Sequence, residues 1–318
     1  MGQKQPFFSI IIPTYNRSQR LVTCLQSLTQ LKYPRECFEV IVMDDGSKIS
    51  LETVVAPFLK QLDMKLLIQS NAGPATARNQ GAKQAKGQFL AFTDDDCTPA
   101  PDWLQTLAAR FAITPNCMIG GRTVNTLAEN PYSTASQILI DYLYGYYNAN
   151  PDKARFFASN NFALPAERFH AMDGFDTTYP RAAAEDREFC DRWLSRGYSM
   201  IYAPEVLVYH AHQLALSTFW QQHFNYGRGA FCFRQMQSVK DSRSLSAEKS
   251  TDEKLAKEEP IKVEPLSFYG KLLIYPFFAS SSQPAFLLSV LLFISQVANT
   301  VGFFWEKNQQ VASIAKSD

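Results

Sequence analysis

The sequence predicts an α/β fold built on a Rossmann-like sheet with helices on both faces. Two observations predict it. In roughly the first hundred residues, short apolar runs alternate with amphipathic stretches, and polar clusters follow three of those runs. Near-continuous apolar strands separated by helices are typical of a parallel sheet covered on both faces. With 318 residues, 46% of them hydrophobic, the chain can bury the core that such a sheet needs.

Four strands are expected first, each a short run rich in β-branched or aromatic residues: 7–12, 38–43, 64–68 and 89–92. Three helices are expected between them, at 18–30, 51–62 and from Asn71 to about Gly87. In the first of these, Leu21, Leu25 and Leu28 recur at helical spacing. Strands that alternate with helices in this way favour parallel pairing.

The middle of the chain is less regular. It holds a glycine pair, Gly120 and Gly121, and a tyrosine-rich stretch with helical character over 141–147. A helix is predicted over 182–196 and ends at Gly197, a favourable residue just beyond a helix C-terminus. A strand pair over 200–202 and 206–210 is expected to follow.

We therefore expect four parts: a ligand-binding α/β domain at 1–237, a charged flexible linker at 238–265, a hydrophobic helical segment at 266–306 and a short tail at 307–318. The linker is predicted because Ser, Lys, Glu and Asp dominate that stretch without hydrophobic periodicity. The N-terminus has no long apolar core of a signal peptide.

The hydrophobic segment favours contact with a membrane. Residues 272–305 form 34 consecutive positions without Asp, Glu, Lys or Arg, more than the roughly 20 needed to cross a bilayer. A spanning helix, a hairpin or a re-entrant helix fits this pattern, and a buried or oligomer-forming helix pair is the alternative. Basic residues precede it, which favours the cytoplasmic face of the inner membrane for the preceding domain: Lys254, Lys257, Lys262 and Lys271.

Charge and cysteine content exclude several classes of protein. The formal net charge is +1, so the chain lacks the basic excess that binding to a nucleic-acid backbone needs. The six cysteines are scattered without a C-x-x-C pair, which argues against a zinc ribbon, a redox dithiol or a disulfide framework.

The acidic triplet Asp94-Asp95-Asp96 follows the fourth predicted strand. Three adjacent carboxylates repel one another, so they need a counter-charge. In an extended conformation Asp94 and Asp96 share one side, and two hard oxygen ligands suit Mg²⁺ or Mn²⁺. The alternative is an acidic turn that caps the helix beginning near Pro101.

A second cluster, Asp44-Asp45-Gly46-Ser47, ends the second predicted strand. It is a good strand-to-helix turn, but a carboxylate here can also accept a hydrogen bond from a uracil or a ribose hydroxyl. The stretch from Gly73 to Gly81 matches neither standard phosphate-binding loop, which weighs against a P-loop enzyme and a dinucleotide oxidoreductase. Within it, Arg78 is equally suited to a base or phosphate and to the solvated surface.

Two later features bear on chemistry. Asp186, Phe189, Cys190 and Trp193 form one helical stripe, so Asp186 begins the inward face of its helix, where a carboxylate can act as a general base. An acidic first turn also stabilises a helix through its dipole, the favoured role for Glu185. His210 and, more weakly, His212 are candidate metal ligands at the end of a strand.

These motifs, in this order, resemble family 2 glycosyltransferases of the GT-A fold: Ile-Ile-Pro-Thr-Tyr-Asn-Arg, Val-Met-Asp-Asp-Gly-Ser, Gly-x-x-x-Ala-Arg-Asn, Phe-Thr-Asp-Asp-Asp, Glu-Asp-Arg-Glu-Phe and a terminal strand histidine. The resemblance covers roughly residues 7 to 230 and implies a mixed Rossmann-like sheet. It also implies roles for single residues: nucleotide-sugar binding for Pro13, Tyr15, Asp45, Arg78 and Asp94; metal binding for Asp94, Asp96 and His210; catalysis for Asp186 as base with Glu185 beside it; and the acceptor side for Asn160 and Asn161.

The resemblance implies an inverting, metal-dependent glycosyltransferase of the hexosyltransferase type. It would use Mn²⁺ or Mg²⁺ and a nucleotide-diphosphate sugar, with UDP as the expected nucleotide, and would act on a sugar, lipid-linked or glycan acceptor in envelope polysaccharide or glycolipid synthesis. Two alternatives are a nucleotidyltransferase that makes nucleotide sugars and a catalytically silent, membrane-anchored binding protein. The first needs a Gly-rich basic loop after the first strand, and Pro13 to Arg17 is not one.

Overall fold

The computed structural model describes residues 5–179, 183–248 and 264–314. Its eight strands are β1 (Phe8–Thr14), β2 (Phe38–Asp44), β3 (Met64–Ile68), β4 (Phe89–Phe92), β5 (Cys97–Pro99), β6 (Met118–Asn125), β7 (Phe162–Pro165) and β8 (Met200–His210). Its α-helices are α1 (Ser18–Leu28), α2 (Glu52–Val55), α3 (Pro74–Lys83), α4 (Trp103–Ile113), α5 (Pro131–Tyr147), α6 (Ala166–Ala171), α7 (Glu185–Ser195), α8 (Leu216–Glu248), α9 (Leu266–Ile274) and α10 (Ala285–Ile314). Short 3₁₀ turns occur at Arg35–Cys37, Pro151–Lys153 and Tyr275–Phe277.

The strands form one mixed sheet in the order β3-β2-β1-β4-β7-β6-β8-β5. The first four are parallel, β7 is antiparallel to both β4 and β6, and β5 is antiparallel to β8. β6 and β8 pair in parallel. The predicted Rossmann-like mixed sheet flanked by helices is confirmed, and the four strands expected first are its parallel half.

Side chains that alternate along β1 pack on opposite faces of the sheet. Ile10 and Ile12 join a core cluster with Leu21 and Leu25 of α1 and Trp103 of α4. Ile11 joins the cluster of the other face, which contains aromatic side chains of α6 and α7: Phe169, Phe189 and Trp193. Helices therefore cover both faces of the sheet, and alternate residues of β1 pack into the two separate cores.

Several boundaries differ from the predictions. The helix expected over 51–62 is a single turn at α2, followed by turns. The expected strand pair is one strand, β8, whose register against β6 shifts between Gly121 and Arg122. A Cβ added to Gly121 would lie 2.0 Å from the Val206 carbonyl oxygen, so the glycine permits this close approach.

The predicted helix over 182–196 is α7, which begins at Glu185; Ala182 lies outside the described residues. At its end Gly197 has φ +76, as expected for a residue just beyond a helix C-terminus. α8 continues to Glu248, so the first residues of the predicted linker are helical; 249–263, with most of that linker, and 315–318 of the tail lie outside the described residues.

The C-terminal helices pack on one another and on the domain. Leu272 of α9 and Leu288 and Leu292 of α10 share a buried cluster with Phe219 of α8 and Ile138 of α5. α8 and α10 approach closely at two glycines: a Cβ on Gly227 would lie 1.8 Å from the Asn299 carbonyl oxygen, and one on Gly302 would lie 1.9 Å from that of Phe224. Residues Ala285–Ala312 are long and apolar enough to cross a membrane, with a third of their most apolar window buried.

Candidate active site

The carboxyl ends of β1, β2 and β4 meet at one edge of the sheet, and the polar clusters that follow them lie against one another. The Asp45 backbone N–H donates to the Thr14 carbonyl (2.9 Å). Asn16, which adopts φ +56, donates its backbone N–H to Ser47 Oγ (2.8 Å). In open α/β sheets this edge is where ligands bind.

The acidic triplet does not continue strand β4. β4 ends at Phe92, Asp95 and Asp96 form a turn, and the Cys97 N–H donates to the Asp94 carbonyl (3.1 Å). The expected extended conformation, with Asp94 and Asp96 on one side, is therefore wrong. Because of the turn, the three carboxylates point in different directions: Asp94 contacts Arg78, Asp95 contacts Thr14, and Asp96 contacts the two histidines.

Asp96 lies beside two histidines. His210 Nε2 is 3.2 Å from Asp96 Oδ1, and His212 Nδ1 is 3.7 Å from Asp96 Oδ2. The cause is strand pairing: β5 pairs with the end of β8 with Cys97 opposite His210, and the Ala211 N–H donates to the Asp96 carbonyl (2.9 Å). The three side chains offer ligand atoms within 4.8 Å of one another.

Burial raises the pKa of the Asp96 carboxyl, but hydrogen bonds from the two histidines outweigh it and hold that pKa well below its usual range. Arg17 and Arg20 also contact Asp96 Oδ2, at 3.5 and 3.1 Å. The carboxylate is thus charged, buried and surrounded by nitrogen. One carboxylate and two imidazoles are a ligand set for a transition-metal ion with open positions, so the residues fit a bound cation.

Asp95 points into the fold. It accepts from Thr14 Oγ1 (2.7 Å) and from Arg17 (3.2 Å). Burial raises its pKa to about 6, although the Arg17 charge opposes this. Asp95 therefore connects the turn to the end of β1 and to the residue that precedes α1.

Asp94 lies beside Arg78 rather than with the histidines. Arg78 of α3 is 3% exposed, and its guanidinium contacts Asp94 Oδ1 at 2.6 Å and Glu185 Oε1 at 3.4 Å. Burial lowers the pKa of Arg78, but the two acids raise it overall. The solvated alternative for this side chain is wrong: Arg78 is a buried bridge between the acidic turn and the start of α7.

Glu185 and Asp186 occupy the first turn of α7. Burial, then the neighbouring Asp186 charge, raises the pKa of Glu185 to about 7. Burial also raises the pKa of Asp186, against backbone N–H donors that include Arg187 (2.8 Å). Burial therefore outweighs the helix terminus, and the two carboxyls hold protons to a higher pH than free carboxyls do.

The Asp45 carboxylate accepts hydrogen bonds from the loop that precedes α3. The donors are Gln69 Nε2 (2.7 Å), the Ala72 N–H (2.8 Å), Asn71 Nδ2 (3.1 Å) and the Gly73 N–H (2.9 Å). These bonds fix the loop that begins α3. At the same edge, Pro13 is buried within β1 and Tyr15 is 42% exposed.

The two asparagines differ. Asn161 is fully buried: its Oδ1 accepts from Trp103 Nε1 (3.0 Å), and its Nδ2 donates to the Arg122 and Val206 carbonyls (3.0 and 2.9 Å). Its amide is occupied inside the fold, so its position does not favour the predicted acceptor role. Asn160 is partly exposed, and its side chain reaches Thr123 Oγ1 (3.4 Å).

Three residues of the candidate site were not predicted from the sequence: Arg17, Arg20 and Gln222. Arg17, which immediately precedes α1, and Arg20 of α1 form the cationic side of the acidic turn. His212, the weaker of the two histidine candidates predicted from the sequence, lies with His210 and Asp96 although it is two residues beyond the end of β8. Nothing local marked Gln222 of α8, whose Oε1 lies 3.1 Å from His212 Nε2.

Comparisons with known proteins identify a family and a fold. The family model described as Glycosyl transferase family 2 matches residues 9–172. The glycosyltransferase AglE of Haloferax volcanii is 28% identical over 216 residues, 66% of this chain and 68% of that protein. The validoxylamine A glucosyltransferase of Streptomyces hygroscopicus is 28% identical over 228 residues; this match spans 63% of the chain and about half, 54%, of that relative.

Two solved structures show the same fold. The mannosyltransferase PcManGT of Pyrobaculum calidifontis, in complex with GDP-Man and Mn²⁺, superposes with a TM-score of 0.60 at 17% identity, over 93% of this chain and 88% of that one. TarS of S. aureus, in complex with UDP-GlcNAc, gives a TM-score of 0.51 at 17% identity, over 96% of this chain and 92% of that one.

Proposed function

The chain belongs to glycosyl transferase family 2, and from this premise we propose that it is an inverting hexosyltransferase that moves a sugar from a UDP-sugar to a hydroxyl of a lipid-linked acceptor in envelope glycoconjugate synthesis. The observation that carries the proposal is the placement of two groups at one edge of the sheet. Asp96, His210 and His212 form one group, and Arg78 connects the acidic turn to the second, Glu185 and Asp186.

Asp96, His210 and His212 would hold a divalent cation, which when bound neutralises the diphosphate leaving group. Two imidazoles among three ligands favour Mn²⁺ over Mg²⁺, because Mg²⁺ prefers oxygen ligands and retains its waters. Pro13, Tyr15 and Asp45 lie at the nucleotide side in this proposal. Arg17 and Arg20 add positive charge beside the diphosphate.

In the proposed reaction Asp186 takes the proton of the acceptor hydroxyl. The acceptor oxygen forms a bond to the anomeric carbon as the bond from that carbon to the diphosphate oxygen breaks, and nucleoside diphosphate leaves with the electron pair. A single displacement inverts the anomeric configuration. Arg78 contacts both Asp94 of the acidic turn and Glu185, and the charge of Asp186 acts on Glu185, so the base is electrostatically connected to the turn.

A donor panel tests the proposed reaction. We expect the protein with Mn²⁺ and a polyprenyl-phosphate-linked sugar to release UDP from at least one UDP-sugar, measured by a coupled nucleotide assay, with GDP-mannose as the comparison donor. Pyrophosphate release from UTP and a sugar 1-phosphate would instead identify a nucleotidyltransferase. Silence with every donor and acceptor would identify a binding protein and overturn the proposal.

A groove beside the metal ligands supports a lipid-linked acceptor. It has a volume of about 580 Å³ and is lined by 126–132 and 213–215, immediately after His212. Leu127, Tyr132 and Leu214 supply apolar walls. The loop before α10 contacts one of the lining residues, since Ser282 Oγ and Gln283 Nε2 both donate to the Ala128 carbonyl (3.0 and 2.9 Å). The groove residues thus adjoin His212 along the chain and contact the loop that precedes the apolar C-terminal helix.

We propose that α10 rests on the cytoplasmic face of the inner membrane. One face of the helix packs against the domain, where Glu306 pairs with Arg228 (2.7 Å). The opposite face is an exposed apolar stripe at helical spacing, with Phe286 74% and Phe293 57% exposed: Phe286, Val290, Phe293, Val297, Val301 and Phe304. Spanning the bilayer would separate α10 from α8 and break the pairing of Glu306 with Arg228, so an in-plane position is favoured.

Vesicle flotation tests the membrane proposal. Replacing both Phe286 and Phe293 by Ser should lower binding to phosphatidylglycerol-containing vesicles at least about tenfold, since each buried Phe contributes about 1.5–3 kcal/mol. Ile113→Ser, at an equally exposed residue of α4, should bind like the unchanged protein. Equal flotation of the double variant, or protein that alkaline carbonate cannot extract, would contradict an in-plane helix.

A further inference from the structure

Gln222 of α8 connects the two groups of the site. Its Oε1 lies 3.1 Å from His212 Nε2, and its Nε2 donates to Tyr226 Oη (2.8 Å) and Ser136 Oγ (3.3 Å). Tyr226 is close enough to Asp186 and Glu185 for their charges to act on it, and burial raises its pKa to about 12. One amide therefore reaches from the metal-ligand cluster towards the acidic pair.

We propose that Gln222 is a positioning residue that fixes the tautomer and ring orientation of His212 for metal binding. This inference rests on the proposed function, because it takes Asp96, His210 and His212 as the metal ligands. Gln222 lies outside residues 9–172, which match the family model.

The hydrogen-bond pattern gives the physical reason. In the structure the Gln222 amide directs its NH2 group to two hydroxyls and its carbonyl oxygen to His212. A carbonyl oxygen only accepts, so His212 Nε2 must carry the proton and donate it. In the neutral ring His212 Nδ1 then holds a free lone pair, and Nδ1 is the atom that faces Asp96 Oδ2 (3.7 Å). Only the protonated ring can donate from Nδ1 to Asp96, and a bound metal ion would take the place of that proton.

α8 is held rigidly enough to serve this purpose. A Cβ on Gly227 would meet the Asn299 carbonyl of α10, and one on Gly229 would lie 2.4 Å from the Ala183 carbonyl that precedes α7. His223, the neighbour of Gln222, is 1% exposed and stacks edge-on against Phe219 with ring centroids 4.4 Å apart. The packing of α8 against α10 and against the start of α7 therefore fixes the position of the Gln222 amide.

Direct Mn²⁺ binding, measured without donor from the electron paramagnetic resonance of free Mn²⁺, tests the inference. Gln222→Leu removes the acceptor and should weaken Mn²⁺ binding about 10- to 100-fold, the usual effect of losing such a partner of a metal-bound histidine. Gln222→Glu keeps an acceptor oxygen and should restore binding. Gln221→Leu, at the exposed neighbour on α8, should bind as the unchanged protein does.

The outcomes separate this inference from the proposed function. If the unchanged protein binds Mn²⁺, Asp96→Asn abolishes binding and Gln222→Leu does not alter it, the positioning role is overturned and the metal site stands. If the unchanged protein binds no Mn²⁺, both are overturned. Excess Mn²⁺ should restore turnover of Gln222→Leu, which general unfolding would not allow.

A second measurement needs no Gln222 variant. Nitrogen-15 NMR of the histidine rings in the unchanged protein, with His212 assigned by a His212→Gln variant, should show the tautomer protonated at Nε2. A His212 ring protonated at Nδ1 would overturn the inference even if Gln222→Leu failed to fold.

Discussion

Replacing Asp186 by Asn is expected to lower kcat by about 10²- to 10⁴-fold while donor binding is retained, because the amide cannot take the acceptor proton. Asp186 begins the inward stripe of α7, and burial raises its pKa above that of a free carboxyl. Initial rates and UDP affinity, measured on the same preparations, test this. Asp191→Asn, on the same helix, is the control and should retain activity; a fully active Asp186→Asn would remove Asp186 from catalysis.

The same carboxyl pair sets the expected pH dependence. Because the pKa of Glu185 is raised to about 7 and that of Asp186 is also raised, the pair retains protons as the pH falls, so kcat should rise with pH through about 7. Glu185→Gln removes the neighbouring negative charge and should move this limb to lower pH. An unchanged limb would contradict coupling between the two carboxyls.

Replacing Asp96 by Asn is expected to abolish Mn²⁺-dependent turnover, a loss of about 10³-fold or more, because it removes the carboxylate from the three-ligand cluster. Asp94→Asn should act differently: it breaks the contact with Arg78 and should raise the KM for donor more than the apparent Kd for Mn²⁺. Titrations of rate against Mn²⁺ and donor separate the two. Equal loss of Mn²⁺ affinity in both variants would return Asp94 to the metal site.

The sequence pattern predicted the parallel half of the sheet, whose strands are marked by local runs of apolar residues. The first four strands are short apolar runs, and each was found where its run lies, whereas β5, β6 and β7 were not predicted. β6 contains Gly120 and Gly121, which weaken any strand signal, yet both are needed because Phe157 and the Val206 carbonyl approach them closely. Contacts with distant residues determine whether such strands form, and the local sequence pattern does not reveal those contacts.

The same distinction holds at the site. Asp96, His210, Glu185 and Asp186 could be proposed as site residues from the sequence, because their motifs are local and the order of those motifs is distinctive. The turn that separates Asp94 from Asp96 was not predicted. The prediction assumed that the extended conformation continues through Asp96, whereas β4 ends at Phe92. Arg78 read as ambiguous because only the folded chain brings Glu185, 107 residues away, within 3.4 Å of it.

Anomalous diffraction from crystals grown with UDP and Mn²⁺ tests the central claim most directly. The proposed metal centre predicts one manganese peak at about 2.0–2.3 Å from Asp96 and the rings of His210 and His212, with diphosphate oxygens in its open positions. A peak held by Asp94 and Asp96 without the histidines, or UDP bound at this edge of the sheet with no manganese peak, would contradict it.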